Sequence, residues 1–382
     1  MKRLERLIVK YMLRIVYIFS SIFKIKKRII FATYRTDTLE GNYKYIIEEL
    51  EKRNTGYSYK ILYKTQKNGI KEKIKYLFHM IRAEYYMATS NYFIIDDFYL
   101  PVYVVKKLRK GTEVVQVWHA CGAFKKFGFS ILDRGFGADE DYIKDIPIHS
   151  NYSNVLVTSK EVSKYYAEAF NMSDINIKPI GIPRTDIFFY EEKKMEAKEK
   201  LYKLYPKLIG KKIILYAPTF RGTSQRDAKS EIKFNLKKVL ESIEDDYIFA
   251  LKMHPFVKES FKELENDKFI DLSDYSFIND ILCITEILIT DYSSTLFEFS
   301  LLEKKIILYA DDLDEYINER DFYYEYNSFV PGPIVNNTAD LINIINDENY
   351  DYNKVREFKN KFFDYVDGKA SKRFVDKIIC KN

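Results

Sequence analysis

The feature that most constrains the fold of this chain is a repeated alternation of short apolar segments with stretches of helical spacing. In the first half, 42–51 and 70–87 have helical spacing, and the predicted strands are 28–33, 59–63, 92–95, 114–118, 154–158 and 175–180. Short buried strands that alternate with helices are typical of a mostly parallel sheet with helices on both faces. The pattern therefore predicts a doubly wound α/β fold.

The alternation breaks and then begins again. It stops at Gly181-Ile182-Pro183-Arg184 and at a charged helix over 191–205, and a second set of strands follows at 212–216, 247–252, 269–272, 287–290 and 305–309. A chain of 382 residues is also long for one hydrophobic core. We predict two Rossmann-like domains, 28–190 and 191–382, with the boundary near 185–210. Because ligands of such sheets bind beyond the carboxyl ends of strands, the expected site is the cleft between the domains.

Positive charge is concentrated at the front of the chain. Residues 1–28 hold nine Lys and Arg against Glu5 alone, a net +8, whereas the whole chain carries +6. The remaining residues are therefore slightly acidic, which argues against a nucleic-acid-binding surface.

The same basic segment has apolar residues at helical spacing, from Leu4 to Phe19. Lys10 and Arg14 interrupt it, so no apolar run reaches the ~20 residues that span a bilayer. No small-residue cleavage site follows Phe23, as a signal peptide would require. We predict that residues 1–27 form a basic amphipathic helix on an anionic cytoplasmic membrane surface. The alternative is a helix packed on the protein, with its charges in water.

Neither metal nor disulfide chemistry is indicated. The spacing of the three cysteines suits neither a disulfide scaffold nor a zinc site. So few cysteines are typical of a protein in a reducing cytosol. Paired acids such as Asp96-Asp97 and Asp311-Asp312 could hold a cation, but such pairs are more often solvated strand ends. We predict no metal and no cofactor. No P-loop motif is present, and no G-x-G-x-x-G follows the first strand, which disfavours those nucleotide-binding folds.

Two of the four histidines directly follow predicted strands, one in each half. His119 follows Val-Gln-Val-Trp, and His254 follows Phe-Ala-Leu-Lys-Met. A lone histidine at such a position is often structural. Two equivalent placements favour proton transfer, because imidazole titrates near neutral pH. Near His119, Gly122 and Gly128 permit close backbone approach, and Lys125 and Lys126 can meet phosphate unless they are ordinary surface residues.

The run Thr290-Asp291-Tyr292-Ser293-Ser294-Thr295 lies at a strand-to-helix junction. Free N–H groups, a helix dipole and the hydroxyls of Ser293 and Ser294 could receive a phosphate there. The plainer interpretation is that one of these serines caps the helix. Further candidates for donor or phosphate binding, each weak alone because surface or structural pairing is common, are Arg221, Lys252, Arg320 and Glu325.

Taken together, these segments resemble the CDP-glycerol glycerophosphotransferase family of wall teichoic acid synthesis. The resemblance spans about 28–370 and rests on blocks in the family's order: 116–128 (QVWHACGAFKKFG), 181–186 (GIPRTD), 216–221 (YAPTFR), 252–255 (KMHP), 290–294 (TDYSS) and 329–333 (FVPGP). It implies a GT-B architecture with peripheral attachment to the membrane, a CDP-glycerol donor and an undecaprenyl-diphosphate-linked acceptor. It leaves room for a homo-oligomer.

Within that family, the chain looks most like the primer enzyme, which adds the first glycerol phosphate to a lipid-linked disaccharide. Related enzymes that use CDP-ribitol, polymerise many units or build capsules share the same blocks. As a mechanism we expect His119 to act as the base. Gly122, Lys125 and Lys126 would lie on the acceptor side. His254, Arg221, Lys252, Asp291, the serines, Arg320 and Glu325 would serve the donor. A glycosyltransferase that uses a nucleotide sugar and a non-enzymatic membrane-associated binding module are the alternatives.

Overall fold

The computed structural model describes residues 3–65, 69–132, 138–222 and 228–381. Contacts divide the chain into two compact units. The first unit is Met1–His119, Phe127–Arg184 and Lys369–Asn382, and the second is Ala120–Lys126 and Thr185–Gly368. The main passage between the units, at 184/185, lies six residues before the expected bound at 190. Residues 120–126 belong to the second unit, although they lie in the predicted domain 28–190. Residues 369–382 belong to the first unit, although they lie in the predicted domain 191–382.

The first unit contains a six-stranded parallel sheet with the order β2-β1-β3-β4-β5-β6. Its strands are β1 (Lys26–Thr33), β2 (Ser58–Tyr63), β3 (Ser90–Ile95), β4 (Glu113–Gln116), β5 (Asn154–Val157) and β6 (Ile177–Pro179). Its helices in this part of the chain are α1 (Arg3–Ser20), α2 (Gly41–Arg53), α3 (Ile70–Ala88), α4 (Leu100–Val104), α5 (Glu140–Asp145) and α6 (Lys160–Ala169). The six predicted strands are all confirmed within a few residues. Strand β4 ends before Trp118 because that residue has a left-handed backbone, φ 49°.

The second unit contains another six-stranded parallel sheet, with the order β12-β11-β10-β7-β8-β9. Its strands are β7 (Lys212–Tyr216), β8 (Tyr247–Leu251), β9 (Phe269–Asp271), β10 (Thr285–Thr290), β11 (Lys305–Tyr309) and β12 (Ile334–Val335). Its helices are α7 (Glu191–Leu204), α8 (Leu236–Ser242), α9 (Ile278–Ile284), α10 (Thr295–Ser300), α11 (Leu313–Arg320), α12 (Tyr326–Phe329), α13 (Thr338–Ile345) and α14 (Asn353–Phe362). Sequence analysis missed β12, whose two residues are too few for a periodic signal.

The fold class is confirmed, since both sheets are parallel and doubly wound. Read from β9, the second sheet has the 3-2-1-4-5-6 order of a dinucleotide-binding fold, and its strand order reverses between β7 and β10. In the first sheet the order reverses between β1 and β3. Crevices at the carboxyl ends of strands beside such a reversal are the usual ligand sites of this fold class.

The chain returns to the first unit at its end. Helix α15 (Ala370–Phe374) continues into a π-helical segment, Val375–Cys380, and both pack on the first unit. Asp376 pairs with Arg53 of α2, and the Ile379 carbonyl accepts the Tyr92 hydroxyl at 3.2 Å. These contacts join the end of the chain to β3 and α2.

Helix α1 has two unlike faces. Lys10, Leu13, Tyr17 and Ser20 are buried at alternating spacings of three and four residues. The opposite stripe is exposed and apolar, and it consists of Leu4, Ile8, Tyr11, Ile15, Ile18, Phe19, Ile22 and Phe23, the last two just beyond the helix. Among the described residues, no helix combines the length and the apolar character needed to cross a bilayer.

Candidate active site

Polar side chains gather at the carboxyl edge of the first sheet, beside its point of reversal. Arg35 follows β1, Asp96 and Asp97 follow β3, and His119 follows β4. The Asp97 Oδ2 atom lies 3.3 Å from His119 Nδ1 and accepts a hydrogen bond from Arg35 at 2.5 Å. Because β1, β3 and β4 are neighbours, their carboxyl ends bring these residues together.

The neighbours of His119 assign its tautomer. Its Nδ1 atom faces the Asp97 carboxylate at 3.3 Å and the Asp96 carbonyl oxygen at 3.4 Å. Both are acceptors, so Nδ1 carries the hydrogen and Nε2 keeps its lone pair. Burial lowers the pKa of His119 to about 4, although the Asp97 charge acts in the opposite sense. The ring is therefore neutral at pH 7, and Nε2 can accept a proton.

Two side chains hold the backbone around His119. The buried Asn42 of α2 donates to the Trp118 carbonyl at 2.8 Å and accepts the Arg184 N–H at 3.0 Å. Arg184 in turn donates to the His119 carbonyl at 2.8 Å. The 181–186 block thus supports the segment that carries His119, a role that sequence analysis did not assign to Arg184.

His254, at the carboxyl edge of the second sheet, has the opposite tautomer. Its Nδ1 atom accepts the backbone N–H of Phe256 at 3.2 Å, so in the neutral ring Nε2 carries the hydrogen. The ring lies against Phe220 and Phe256, at centroid distances of 4.8 Å and 4.6 Å. His254 therefore offers an N–H donor, whereas His119 offers a lone pair.

Arg221 and two carboxylates form a network at the reversal point of the second sheet. The guanidinium binds both carboxylate oxygens of Asp312, at 2.7 Å and 3.0 Å, and also binds Asp291 at 3.0 Å. It lies about 5 Å from the ring centroids of Tyr292 and Tyr316. This predicted phosphate ligand is thus largely engaged by protein acceptors.

Asp291 is buried and connects the loops that follow β7 and β10. Its Oδ1 atom accepts both the backbone N–H of Thr219, at 2.8 Å, and the Thr219 hydroxyl. It also accepts the Tyr292 N–H at 2.6 Å, and its carbonyl accepts the Tyr326 hydroxyl at 3.0 Å. The structure thus places this predicted donor residue in the scaffold of the site.

The two serines at the start of α10 differ. Ser293 accepts the backbone N–H of Thr295 at 3.2 Å and donates to its hydroxyl at 2.9 Å. Ser294 occupies the N-cap position, and its side chain makes no capping hydrogen bond. Ser293 thus provides part of the capping considered from sequence, and a phosphate at this junction stays a prediction.

Lys252 and Glu325 each contact nearby backbone. The buried Lys252 ammonium donates to the carbonyls of Met253 and Ser273, both at 3.1 Å, and burial lowers its pKa to about 8. Glu325 caps α12 by accepting N–H groups at 3.1 Å and 2.8 Å. The Ser328 side chain, together with the backbone N–H groups of Ser328 and Asn327, keeps the pKa of Glu325 below its ordinary value. The side chain of Arg320 lies outside the described residues.

The three predicted acceptor-side residues belong to the second unit, in the segment Ala120–Lys126. Gly122 has φ +68°, and a Cβ there would lie 2.1 Å from the Phe297 ring, so close packing requires glycine. Lys126 pairs with Asp321 at 2.7 Å, and the Lys125 ammonium lies 5.3 Å from the Tyr316 ring centroid. Their predicted contact with acceptor stays untested.

The other two histidines have structural surroundings. His79 bonds the Tyr99 hydroxyl at 2.8 Å, and the buried His149 bonds the Tyr152 hydroxyl at 3.1 Å. Burial lowers both pKa values, to about 4 and about 3. Within the described ranges no cluster of His, Cys, Asp or Glu could hold a metal ion.

Sequence analysis missed two carboxylates that organise these sites. It treated Asp97 and Asp312 only as members of acidic pairs. A usable signal existed for Asp97, because it follows β3 as His119 follows β4, and β3 was predicted correctly. No comparable signal linked Asp312 to Arg221, which lies 91 residues away.

Comparisons with known proteins place these features in context. The family described as CDP-Glycerol:Poly(glycerophosphate) glycerophosphotransferase matches residues 14–380. A teichoic acid ribitol-phosphate primase of Bacillus spizizenii is 38% identical over 351 residues, which is 91% of this chain and 90% of that protein. A teichoic acid glycerol-phosphate primase of Bacillus subtilis is 32% identical over 356 residues, covering 90% and 91%.

A polymerase and a solved structure are similar as well. A teichoic acid poly(ribitol-phosphate) polymerase of Bacillus spizizenii is 41% identical over 355 residues, which is 92% of this chain but 56% of the polymerase. The solved structure of the H444N variant of the wall teichoic acid polymerase TagF superposes with a TM-score of 0.78 at 23% identity, covering 97% of this chain and 93% of that one. At that identity the superposition supports the fold alone.

Proposed function

This chain belongs to the CDP-glycerol:poly(glycerophosphate) glycerophosphotransferase family, and from that premise we propose that it transfers an alditol phosphate from a CDP-alditol to an undecaprenyl-diphosphate-linked disaccharide, with release of CMP. It is a transferase of teichoic acid synthesis. The proposed step is the primer reaction that begins the polymer. Ribitol or glycerol polymerisation and a capsule role are the alternatives within the family.

The pair of opposite histidine tautomers carries this proposal. His119 presents an unprotonated Nε2, as a base requires, and His254 presents a protonated Nε2, as a donor to phosphate oxygen requires. A phosphoryl transfer needs both functions, because a hydroxyl must lose its proton while negative charge grows on the diphosphate.

In the proposed reaction the acceptor hydroxyl attacks the phosphorus that bears the alditol. Its proton passes to Nε2 of His119, a new P–O bond forms, and the P–O bond to CMP breaks with its electron pair leaving on CMP. The Nε2–H of His254 donates to a diphosphate oxygen during this step. The serines that precede α10 and the other predicted donor residues are proposed to assist.

The choice of alditol is weighed by sequence identity. The ribitol-phosphate primase is 38% identical over nearly its whole length, and the glycerol-phosphate primase is 32% identical over a similar span. Sequence analysis expected CDP-glycerol. The identities favour CDP-ribitol, so we propose ribitol as the first donor to test and glycerol as the second.

Peripheral attachment to the cytoplasmic face of the membrane is also proposed, through the apolar stripe of α1. Ile8 and Ile18 are 59% and 66% exposed, and the stripe extends along the whole helix. Much of the positive charge of α1 is instead bound by acceptors of the protein: Arg3 and Arg6 pair with Asp145, and Lys10 and Arg14 donate to backbone carbonyls. Apolar insertion is therefore the proposed main source of membrane affinity, rather than the charge density that sequence analysis emphasised.

The neighbouring helix α3 extends the same kind of surface. It packs against α1, and Ile70, Ile74 and Phe78 recur on it at intervals of four residues with 77%, 50% and 65% exposure. Two adjacent helices with exposed apolar stripes suit an interfacial position at a bilayer.

The proposed function is tested by CMP release with a lipid-linked disaccharide acceptor. CDP-ribitol, CDP-glycerol and a nucleotide sugar are offered in turn, and mass spectrometry of the lipid product counts the units added. We expect CMP release with a CDP-alditol and loss of roughly 10²–10³ in rate for His119→Ala and for His254→Ala. His79→Ala is the matched control. Normal turnover in either variant would remove that histidine from the scheme, and use of the nucleotide sugar alone would indicate a glycosyltransferase.

A further inference from the structure

The loop after β3 is held at a fixed distance from the loop after β4. Gln116, the last residue of β4, donates to the Asp97 carbonyl at 3.0 Å and accepts the backbone N–H of Trp118 at 2.9 Å. One buried amide thus connects the residue before His119 with the backbone of Asp97. The separation of the two side chains is set by this connection and by the pairing of Ile95 with Gln116 in the sheet.

The Asp97 carboxylate is itself fixed at both oxygens. Its Oδ1 atom accepts the backbone N–H of Phe98 at 2.6 Å, and its Oδ2 atom accepts Arg35 at 2.5 Å. The same Oδ2 atom faces Nδ1 of His119 at 3.3 Å. A carboxylate with so little freedom holds the imidazole ring in one orientation.

At neutral pH most of the negative charge of the Asp96-Asp97 pair is on Asp97, and Asp96 is only partly ionised. Burial raises the pKa of Asp96 to about 7. Burial acts on Asp97 in the same sense, but His119 and Arg35 outweigh it and keep the pKa of Asp97 below its ordinary value. The charged groups that face His119 are therefore Asp97, which favours the imidazolium, and Arg35 and Arg184, which oppose it.

We propose that Asp97 is a positioning residue for His119, which fixes the tautomer with hydrogen on Nδ1 and stabilises the imidazolium formed when Nε2 takes the acceptor's proton. This inference rests on the proposed function of His119 as base. No bond of the substrate is made to Asp97, and the proton stays on His119 until it is released to solvent. The same division of roles, carboxylate behind imidazole, operates in hydrolytic triads on unrelated folds.

The test uses Asp97→Asn, with Asp37→Asn as the matched control. Asp37 lies in the loop after β1 and bonds Thr65, so its substitution removes the same charge without touching His119. NMR titration of the four histidines, with His119→Ala for assignment, reads the pKa of His119 directly. We expect Asp97→Asn to lower that pKa, to move the acid limb of the pH–rate profile to lower pH, and to reduce kcat by roughly 10²–10⁴ with little change in KM for the donor.

Three outcomes decide the matter. The proposal would be overturned if Asp97→Asn and Asp37→Asn had the same pKa of His119 and the same kcat. If Asp97→Asn does not fold, nitrogen chemical shifts of His119 in the unsubstituted protein give the tautomer, and hydrogen on Nε2 would overturn it. Absence of CMP release from every donor by the unsubstituted protein would count against the proposed function, whereas the tautomer and the titration would still report on the Asp97 contact.

Discussion

The guanidinium of Arg221 binds both carboxylate oxygens of Asp312, at 2.7 Å and 3.0 Å, across 91 residues of sequence. Asp312 follows β11 and Arg221 follows β7, so this pair and the Arg221–Asp291 bond connect the loops after three strands. A residue that sequence analysis assigned to phosphate is thus also a fixed element of the second unit.

We expect Arg221→Ala to destabilise the protein by about 3 kcal/mol, because it leaves the buried carboxylate of Asp291 and the largely buried carboxylate of Asp312 without this partner. Urea unfolding measures the loss. Arg356→Ala, which breaks an exposed pair with Glu303 in the same unit, should cost about 1 kcal/mol or less. Equal stability of the two variants, combined with loss of donor binding in Arg221→Ala alone, would instead make Arg221 chiefly a ligand residue.

Lys252 should make stability depend on alkaline pH. Burial lowers the pKa of its ammonium from 10.5 to about 8, so between these values the unfolded chain binds more protons than the folded one. Stability from this group therefore rises as the pH increases from 8 toward 10.5. Between pH 7.5 and pH 9.5 we expect the unsubstituted protein to gain about 2 kcal/mol relative to Lys252→Met in chemical denaturation. If the free energy of unfolding of the two proteins changed equally with pH, the lowered pKa of Lys252 would be contradicted.

Gly122→Ala should be costlier than the same change at another left-handed glycine. Gly122 has φ +68° and its Cβ would meet the Phe297 ring, whereas Gly210 has φ +75° with nothing within 4 Å. We expect Gly210→Ala to cost about 1 kcal/mol from backbone strain and Gly122→Ala about 2–4 kcal/mol from strain plus overpacking. Thermal or urea unfolding distinguishes them, and equal losses would mean that the Phe297 ring moves aside freely.

The apolar stripe of α1 should control membrane binding. We expect Ile8→Glu and Ile15→Glu each to reduce sedimentation with anionic vesicles by more than tenfold, because a carboxylate replaces side chains that we propose insert among the lipids. Ile175→Glu is the matched control, since Ile175 is 73% exposed but lies after α6. Deletion of residues 1–27 should lower vesicle binding while donor binding survives. Unchanged sedimentation of the two α1 variants would exclude this face.

Sequence analysis predicted the strands well because buried parallel strands are short apolar runs between polar breaks, as at 212–216 and 305–309. It placed His119 and His254 at strand ends for the same reason. Their tautomers depend on Asp97 and on the backbone of Phe256, and such contacts follow from strand order and loop geometry rather than from periodicity.

The orientation of α1 shows a second limit. Its sequence combines an apolar stripe with basic residues, and it predicts a basic amphipathic helix on an anionic membrane surface without indicating which face packs on the protein. In the structure Asp145 binds the largely buried Arg6 and the more exposed Arg3, whereas the apolar stripe on the other side of α1 is exposed. Which face packs is set by the acceptors that the rest of the fold provides, and these lie far away in sequence.

The return of residues 369–381 to the first unit sets an order of events during synthesis. On the ribosome, β1 to β6 emerge well before Asp376 and Ile379, which bind Arg53 and Tyr92. The first unit is therefore translated first but gains these partners last, after the whole second unit has been made. A chain terminated near residue 368 would contain every residue of the second unit. The first unit would lack the segment that binds Arg53 and Tyr92.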